Sequence, residues 1–322
     1  MANRFRFLNV GQGLYYSGKL DCGFNFVFDC GSESYNHDHY IENCIINEYK
    51  VDEQVDILFW SHLHEDHING LNLLKKHVYI GRIIMPYLGT DSIFINTFFY
   101  IITNGDEELS NYLIGQYRET RYEEDDFNCM SYVYNYNEWV FKCVSKKQDP
   151  NTINALIADI KKEVASYYKT SDIDVDLDTI TSYLTSNGYE KIKEIYRRYF
   201  GDDLNDTSMC LLHHPANCFW RYTLLTGDAE FDQGMINEIN HYTGYRRISY
   251  FQVPHHGAKS NWNKLRGLEN YCDYFYISCG REKKYSHPSS EVINGINKLN
   301  RPPFISTESE CPYFWWCEYY IY

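Results

Sequence analysis

Ser61-His62-Leu63-His64-Glu65-Asp66-His67 places three histidines and two carboxylates within six residues. The apolar run Val55-Asp56-Ile57-Leu58-Phe59-Trp60 before it reads as a buried strand. Asn69-Gly70-Leu71-Asn72-Leu73-Leu74 after it reads as the start of a helix. The cluster therefore sits on a strand-to-helix turn. Imidazole nitrogen and carboxylate oxygen are ligand types that suit zinc, manganese or iron. Alternate residues of an extended loop point the same way, so His62 and His64 can reach one ion. Asp66 and His67, after the chain bends, can reach a second. Two ions held close together are an arrangement that activates water for hydrolysis.

Length and composition bound the rest. The chain has 322 residues, 44% hydrophobic and 23% charged, enough for one large globular domain with insertions or for two domains. Its net charge of −14 argues against coating a duplex non-specifically over a broad face, although a metal centre can still be locally positive. The 11 cysteines are odd in number and form no C-x-x-C pair, the usage of reduced thiols in a cytoplasmic protein. Met1 to Leu8 lacks the apolar core of a signal peptide, and no apolar run is long enough to span a membrane. The 32 tyrosines are read as packing residues rather than a stacking platform for bases.

Further strands end at chemistry-bearing residues. Arg4 to Val10 alternates and runs into Gly11-Gln12-Gly13, and Gly23 to Cys30 pairs with it as an opening hairpin ending at Asp29. His37 and His39 are expected in an exposed loop. Tyr222 to Leu225 leads into Thr226-Gly227-Asp228, Ile248 to Val253 into Pro254-His255-His256-Gly257, and Tyr274 to Ser278 is another strand. Two amphipathic helices are expected between them. One is capped at Asn151-Thr152 and carries Ile153 to Tyr167, and one is capped at Asp176 or Asp178 and carries Ile180 to Tyr199.

In this order the motifs resemble the metallo-β-lactamase superfamily, whose H-x-H-x-D-H signature His62 to His67 match in full. They are most similar to the competence-type branch, the metallo-hydrolase domain of DNA-uptake channel proteins and their soluble relatives. Asn9-Val10-Gly11-Gln12-Gly13 looks like the D-V-G-Q-G-D opening, with Asn9 and Leu14 at its two Asp positions. Ser208, an apolar strand and Leu224-Leu225-Thr226-Gly227-Asp228 follow the branch's N-x-x-S and L-L-T-G-D. Ser278-Cys279-Gly280 and Tyr285-Ser286-His287-Pro288 resemble S-x-G-x-x-N-x-Y-G-H-P, with Lys283 in place of Asn and Ser286 in place of Gly.

The resemblance implies an αββα sandwich, an α/β fold with its metals at one edge. Residues 1–95 and 203–322 would form its two halves, with 96–202 a mixed insertion, largely helical after 150. It implies two zinc ions, or manganese, held by His62, His64, Asp66, His67, a bridging Asp228 and His255. His256 is the alternative to His255, or a substrate contact. Asp29 would support the metal loop. Many members of the superfamily supply a further His where this chain has Leu204 and Asn205, leaving Asn205 as a neighbouring alternative. His213 and His214 are not expected as ligands. Asp66, His287 and Lys259 would take part in catalysis, with Ser260 and Asn261 near a phosphate.

The implied function is a phosphodiesterase or nuclease that uses a metal-bridged hydroxide on nucleic acid or a nucleotide. Two alternatives stand beside it. One is hydrolysis of a small ester, lactone or phosphocholine-type substrate. The other is a metal-binding subunit, docked through its helical insertion and active only inside a multi-protein complex such as an antiviral defence system.

Overall fold

Two twisted sheets face each other through an aromatic interior. The computed structural model describes residues 3–171, 175–200, 208–218, 221–281, 286–309 and the backbone of 313–314. The first sheet holds β1 (Arg4–Phe7), β2 (Tyr15–Lys19), β3 (Asn25–Cys30), β4 (Glu53–Phe59), β5 (Val78–Ile84) and β14 (Tyr313–Phe314), in the order β14-β1-β2-β3-β4-β5. The second holds β6 (Glu123–Glu124), β7 (Cys129–Tyr136), β8 (Trp139–Lys146), β9 (Met209–Pro215), β10 (Tyr222–Leu225), β11 (Ile248–Gln252), β12 (Cys272–Ser278) and β13 (Pro303–Ser306), running β13 to β6 in reverse order. β3, β4 and β5 are parallel, as are β10 to β13, while the remaining pairs are antiparallel.

Alternation along the strands decides which side chains fill the space between the sheets. Phe7, Phe26 and Phe59 of the first sheet meet Phe141 and Tyr276 of the second. Ring centroids are 4.8 Å apart for Phe26–Phe141 and 4.6 Å for Phe7–Tyr276. Each such fully buried ring contributes roughly 2–3 kcal/mol of transfer free energy.

Helices cover both outer faces. Over the first sheet lie α1 (His37–Glu48) and α3 (Leu71–His77), with the short α2 (Glu65–Ile68) at the edge. α4 (Ser92–Ile102), α5 (Glu107–Glu119), α6 (Pro150–Tyr168), α7 (Leu177–Tyr183) and α8 (Tyr189–Phe200) extend the same core, so Val27, Leu58, Phe98, Leu156 and Ile192 belong to one apolar cluster. α9 (Gln233–Thr243), α10 (Lys259–Asn263) and α11 (Ser290–Lys298) cover the second sheet. This is a mixed α/β architecture of two sheets between helices, as the sequence led us to expect.

Several local readings shift. β2 occupies the stretch between the two expected strands. It has no polar alternation to announce it, because four of its five residues are buried. His37 and His39 lie in the first turn of α1. α6 is capped by Asp149, whose carboxylate accepts from the amides of Asn151 and Thr152, and Pro150 takes the first-turn position where its missing N–H costs nothing. Asp176 caps α7 through the Thr179 amide. Within 96–202, β7 and β8 are paired strands of the second sheet. The cysteines among the described residues are free thiols, and no described helix is long and apolar enough to cross a membrane.

Candidate metal centre

Strand ends build the centre. β4 delivers Ser61 to His67, β10 delivers Asp228, and β11 delivers His255 and His256. Each is a parallel strand that opens into a loop at its carboxyl end, where side chains converge without competing for ladder hydrogen bonds. His62, Asp66, His67, Asp228 and His256 are all buried. Ligand atoms of Asp66, His67, Asp228 and His256 lie within 4.8 Å of one another, and so do those of His62, His64 and Asp66.

Hydrogen bonds fix which nitrogen of each ring faces inward. His67 Nδ1 lies 2.7 Å from Asp29 Oδ2, which turns Nε2 toward Asp228 Oδ1 at 3.2 Å and Asp66 Oδ2 at 3.6 Å. His256 Nδ1 donates to the Ser278 carbonyl at 2.8 Å, and its Nε2 lies 2.9 Å from Asp66 Oδ2. Asp29 also accepts from the Ser61 amide at 2.7 Å and the Ser61 hydroxyl at 2.6 Å. It therefore holds the metal loop by three bonds on one carboxylate. His64 Nδ1 lies 2.7 Å from Asp66 Oδ1.

The loops are also packed tightly. A Cβ on Gly31 would fall 2.4 Å from the Asp66 carbonyl carbon and 2.5 Å from the His67 amide nitrogen, so the Asp66–His67 backbone can approach β3 only over a glycine. Gly227 has φ +53°, and a Cβ there would lie 2.2 Å from Ser61 Cβ. Asp29, His255 and His256 carry φ of 56°, 51° and 52°. Asp and His tolerate this region better than most side chains, yet each such residue still costs of order 1 kcal/mol.

Charge is dense and mutually compensated. Burial alone would lift the Asp66 and Asp228 carboxyls, but the neighbouring histidines, chiefly His67 for Asp66 and His256 for Asp228, hold both well below the usual carboxylate range. Burial disfavours charge on His67, but Asp66, Asp228 and Asp29 outweigh it and raise its pKa well above the ordinary value. His62 moves the other way, pressed well down by burial and by His67. His62 Nε2 is buried with no hydrogen-bond partner, and His67 Nε2 and Asp228 Oδ1 face each other as an ion pair at 3.2 Å without hydrogen-bond geometry. An unpaired buried acceptor is costly. A lone pair on neutral imidazole or carboxylate is also what a divalent cation takes, so these residues fit a metal.

The remaining candidates fall around this core. His255 is partly exposed, with Nε2 3.7 Å from Asp228 Oδ2, and its ring centroid lies 5.8 Å from that of His287. Of the adjacent pair, His256 is the one that sits in the buried group of four. His287 is half-buried on the loop before α11, its pKa pressed down to about 4 by burial and by His256 and His255. Lys259 points to the surface and pairs with Glu291 at 2.6 Å. Asn261 is buried and donates to the carbonyls of Asp228 and Ala229 at 3.2 Å each. Asn205 lies outside the described residues. His213 and His214 are on β9, with His213 in the inter-sheet core against Tyr16. Sequence reading gave no role to Ser61, Ser278 or Gln252. Ser61 and Gln252 had no signal beyond a polar residue at the end of a buried strand, and Ser278 had only its place in the S-x-G match.

No curated protein matches the chain. Among solved structures it is similar to the subclass B3 metallo-beta-lactamase BJP-1 of Bradyrhizobium japonicum, at 11% identity and a TM-score of 0.25, over 62% of this chain and 95% of that one. It is also similar to the subclass B3 metallo-beta-lactamase MEM-A1 from a soil metagenome library, at 12% identity and a TM-score of 0.23, with the same coverage. A family model described as the metallo-beta-lactamase superfamily matches residues 14–91, which include Asp29 and the whole His62-to-His67 loop. Over that stretch the chain is similar to the metallo-beta-lactamase superfamily, whose members are generally metal-dependent hydrolases.

Proposed function

We propose that this protein is a metal-dependent phosphodiesterase acting on nucleic acid or a nucleotide. The observation that carries the metal part is the buried set of ligand atoms: His62 Nε2, which has no hydrogen-bond partner, and the facing His67 Nε2 and Asp228 Oδ1, set beside Asp66 and His256. Two divalent ions, zinc or manganese, would be held by His62 and His64 on one side and by Asp66, His67 and His256 on the other, with Asp228 between. Bound there, they would polarise a phosphoryl oxygen and make water nucleophilic at neutral pH.

The chain's own residues do the rest. Asp29 and Ser278 hold His67 and His256 by Nδ1 with Nε2 facing the cluster, so a metal that displaces the Nε2 proton would meet a lone pair aimed at it. Burial excludes bulk water from all but the side where His64, His255 and His287 are partly exposed. A substrate enters from that side, and the imidazoles of His255 and His287 can donate hydrogen bonds to non-bridging phosphoryl oxygens. The competence-type likeness at Asn9 to Gly13, Pro254 to Gly257 and Tyr285 to Pro288 supports a phosphodiester over other esters.

The test loads wild type and the Asp66→Ala/His67→Ala double variant with Zn²⁺ or Mn²⁺. Rates are then compared on bis-p-nitrophenyl phosphate, single-stranded DNA, RNA and a lactone. Phosphodiester turnover in the wild type and its loss in the double variant are expected. Equal turnover in both would sink the mechanism. One observation favours a second reading: a net charge of −14 suits a small ester or lactone better than a long polyanion. Turnover of the lactone alone would select it.

A further inference from the structure

Gln252 ends β11 and is 2% exposed. By the alternation of the strand its side chain takes the same side as Tyr250, toward the first sheet. A polar amide in that position needs partners, and it finds them in two loops at once. Its Oε1 accepts from the amides of Thr226 at 2.6 Å and Gly227 at 2.7 Å, and from the Thr226 hydroxyl at 3.0 Å. Its Nε2 donates to the carbonyls of Gly227 and Val253, both at 3.1 Å.

The pairing of β10 with β11 ends at Leu224 and Phe251, so beyond that point the two strands share no ladder. The one described backbone bond that spans the gap runs from the His255 amide to the Gly227 carbonyl, at 3.1 Å. Into this gap Gln252 places a donor and an acceptor that substitute for the missing ladder. The loop on one side carries Asp228 and the loop on the other carries His255 and His256. Asn261 also holds the Asp228 loop, but through that loop's carbonyls alone. Gln252 joins both.

We propose that Gln252 is a positioning residue: its side-chain amide fixes the Asp228 loop against the His255–His256 loop and thereby sets the affinity of the centre for its metals. This rests on the metal reading of the site and not on the choice of substrate. Only an amide can do the whole task. Glutamate keeps an acceptor for Thr226 and Gly227 but brings no donor for the two carbonyls, and leucine keeps neither.

The experiment titrates metal-free wild type, Gln252→Leu and Gln252→Glu with Co²⁺. The visible absorption of the bound ion is followed, and a competing chelator gives the dissociation constant. Losing a residue that orients ligands is expected to weaken binding by about 10–100-fold in Gln252→Leu and to alter the intensity and position of the cobalt bands. Gln252→Glu should fall between. Tyr196→Phe, remote from the site, should leave the cobalt spectrum unchanged. A folded Gln252→Leu protein with wild-type affinity and spectrum overturns the inference while leaving the metal reading intact. If Gln252→Leu does not fold, Gln252→Glu decides alone, and a wild-type spectrum and affinity in that variant overturn it. A wild type that binds no Co²⁺ overturns both.

Discussion

Asp29 shows how much one carboxylate can do from outside a ligand set. Its two oxygens take the Ser61 amide, the Ser61 hydroxyl and His67 Nδ1. Asp29→Asn keeps the shape but turns one acceptor into a donor facing His67, so the ring can no longer keep its Nδ1 proton and its Nε2 lone pair together. Metal affinity should fall about 10–100-fold with the fold retained, measured by chelator competition. His213 offers a test independent of metal. The Trp139 indole N–H points at its Nδ1 at 3.3 Å, so Nε2 carries the proton and donates to the Tyr16 hydroxyl at 2.9 Å. Burial presses its pKa from 6.5 down to about 3. Between those values the unfolded chain takes up a proton that the folded chain refuses, so stability falls as pH drops through that window, by up to about 1.4 kcal/mol per pH unit. In urea melts of metal-free protein, the stability advantage of wild type over His213→Gln should shrink at that rate below pH 6.5. An advantage that stays constant with pH refutes the assignment. At this scale the cluster His62 to His67 was legible because its members are neighbours in sequence. The choice between His255 and His256 was not. It depends on a left-handed backbone turn at both residues beyond the end of β11, where position along the strand no longer says which side chain enters the buried group. Gln252 was illegible for another reason, since its partners are backbone groups of a different loop.

At the scale of elements, the centre exists because parallel strands end side by side and the loops leaving them can pack without side chains in between. The sequence disclosed most of these strands as short apolar runs bounded by Gly, Asp or His. It hid β2, whose buried residues Tyr15 to Gly18 show no period of two. It placed a helix after the metal loop from Asn69, close to where α3 does begin at Leu71, but it missed the short α2 at Glu65–Ile68, whose turn carries Asp66 and His67 and faces them to the second sheet's loops. That turn presses directly on β3, and Gly31 is the contact. Gly31→Ala puts a methyl 2.4–2.6 Å from backbone atoms of Asp66 and His67, which have no room to yield because Asp29 and Cys30 hold the same turn from beside it. Destabilisation of about 1–3 kcal/mol is expected, together with loss of at least one bound metal. Chemical denaturation and metal analysis on the same preparation check both. A variant that keeps wild-type metal content and stability shows that the turn can move and that the close approach is incidental.

The whole molecule couples the site to a helical layer that shares no residue with it. Amphipathic periodicity made the helices of residues 150–200 readable, but not what they cover, because an apolar stripe does not name its partner. Their partner is α4. The Tyr196 hydroxyl lies 2.6 Å from Thr97 Oγ1 and donates to the Phe94 carbonyl at 3.0 Å. The rings of Phe94 and Tyr196 stack with centroids 5.8 Å apart. α4 in turn belongs to the core that lies under β3 and β4, the strands that deliver Asp29 and the metal loop. Residues 150–200 are therefore a lid on the hydrophobic core rather than an appendage. Replacing them with a short Gly/Ser linker uncovers Phe94 and Phe98, both now at most 1% exposed, on the side of α4 that faced them. The shortened protein should aggregate or show molten behaviour, with retained far-UV and lost near-UV circular dichroism, and should lose metal along with its tertiary packing. Tyr196→Ala tests the same contact without a deletion. It should cost roughly 3–5 kcal/mol in chemical denaturation and lower the midpoint without changing metal stoichiometry in the folded state. A shortened protein that stays monomeric, keeps its near-UV spectrum and binds metal as the full chain does would show instead that the first sheet and α1 to α5 form a sufficient core. The helical layer would then be free to serve a partner.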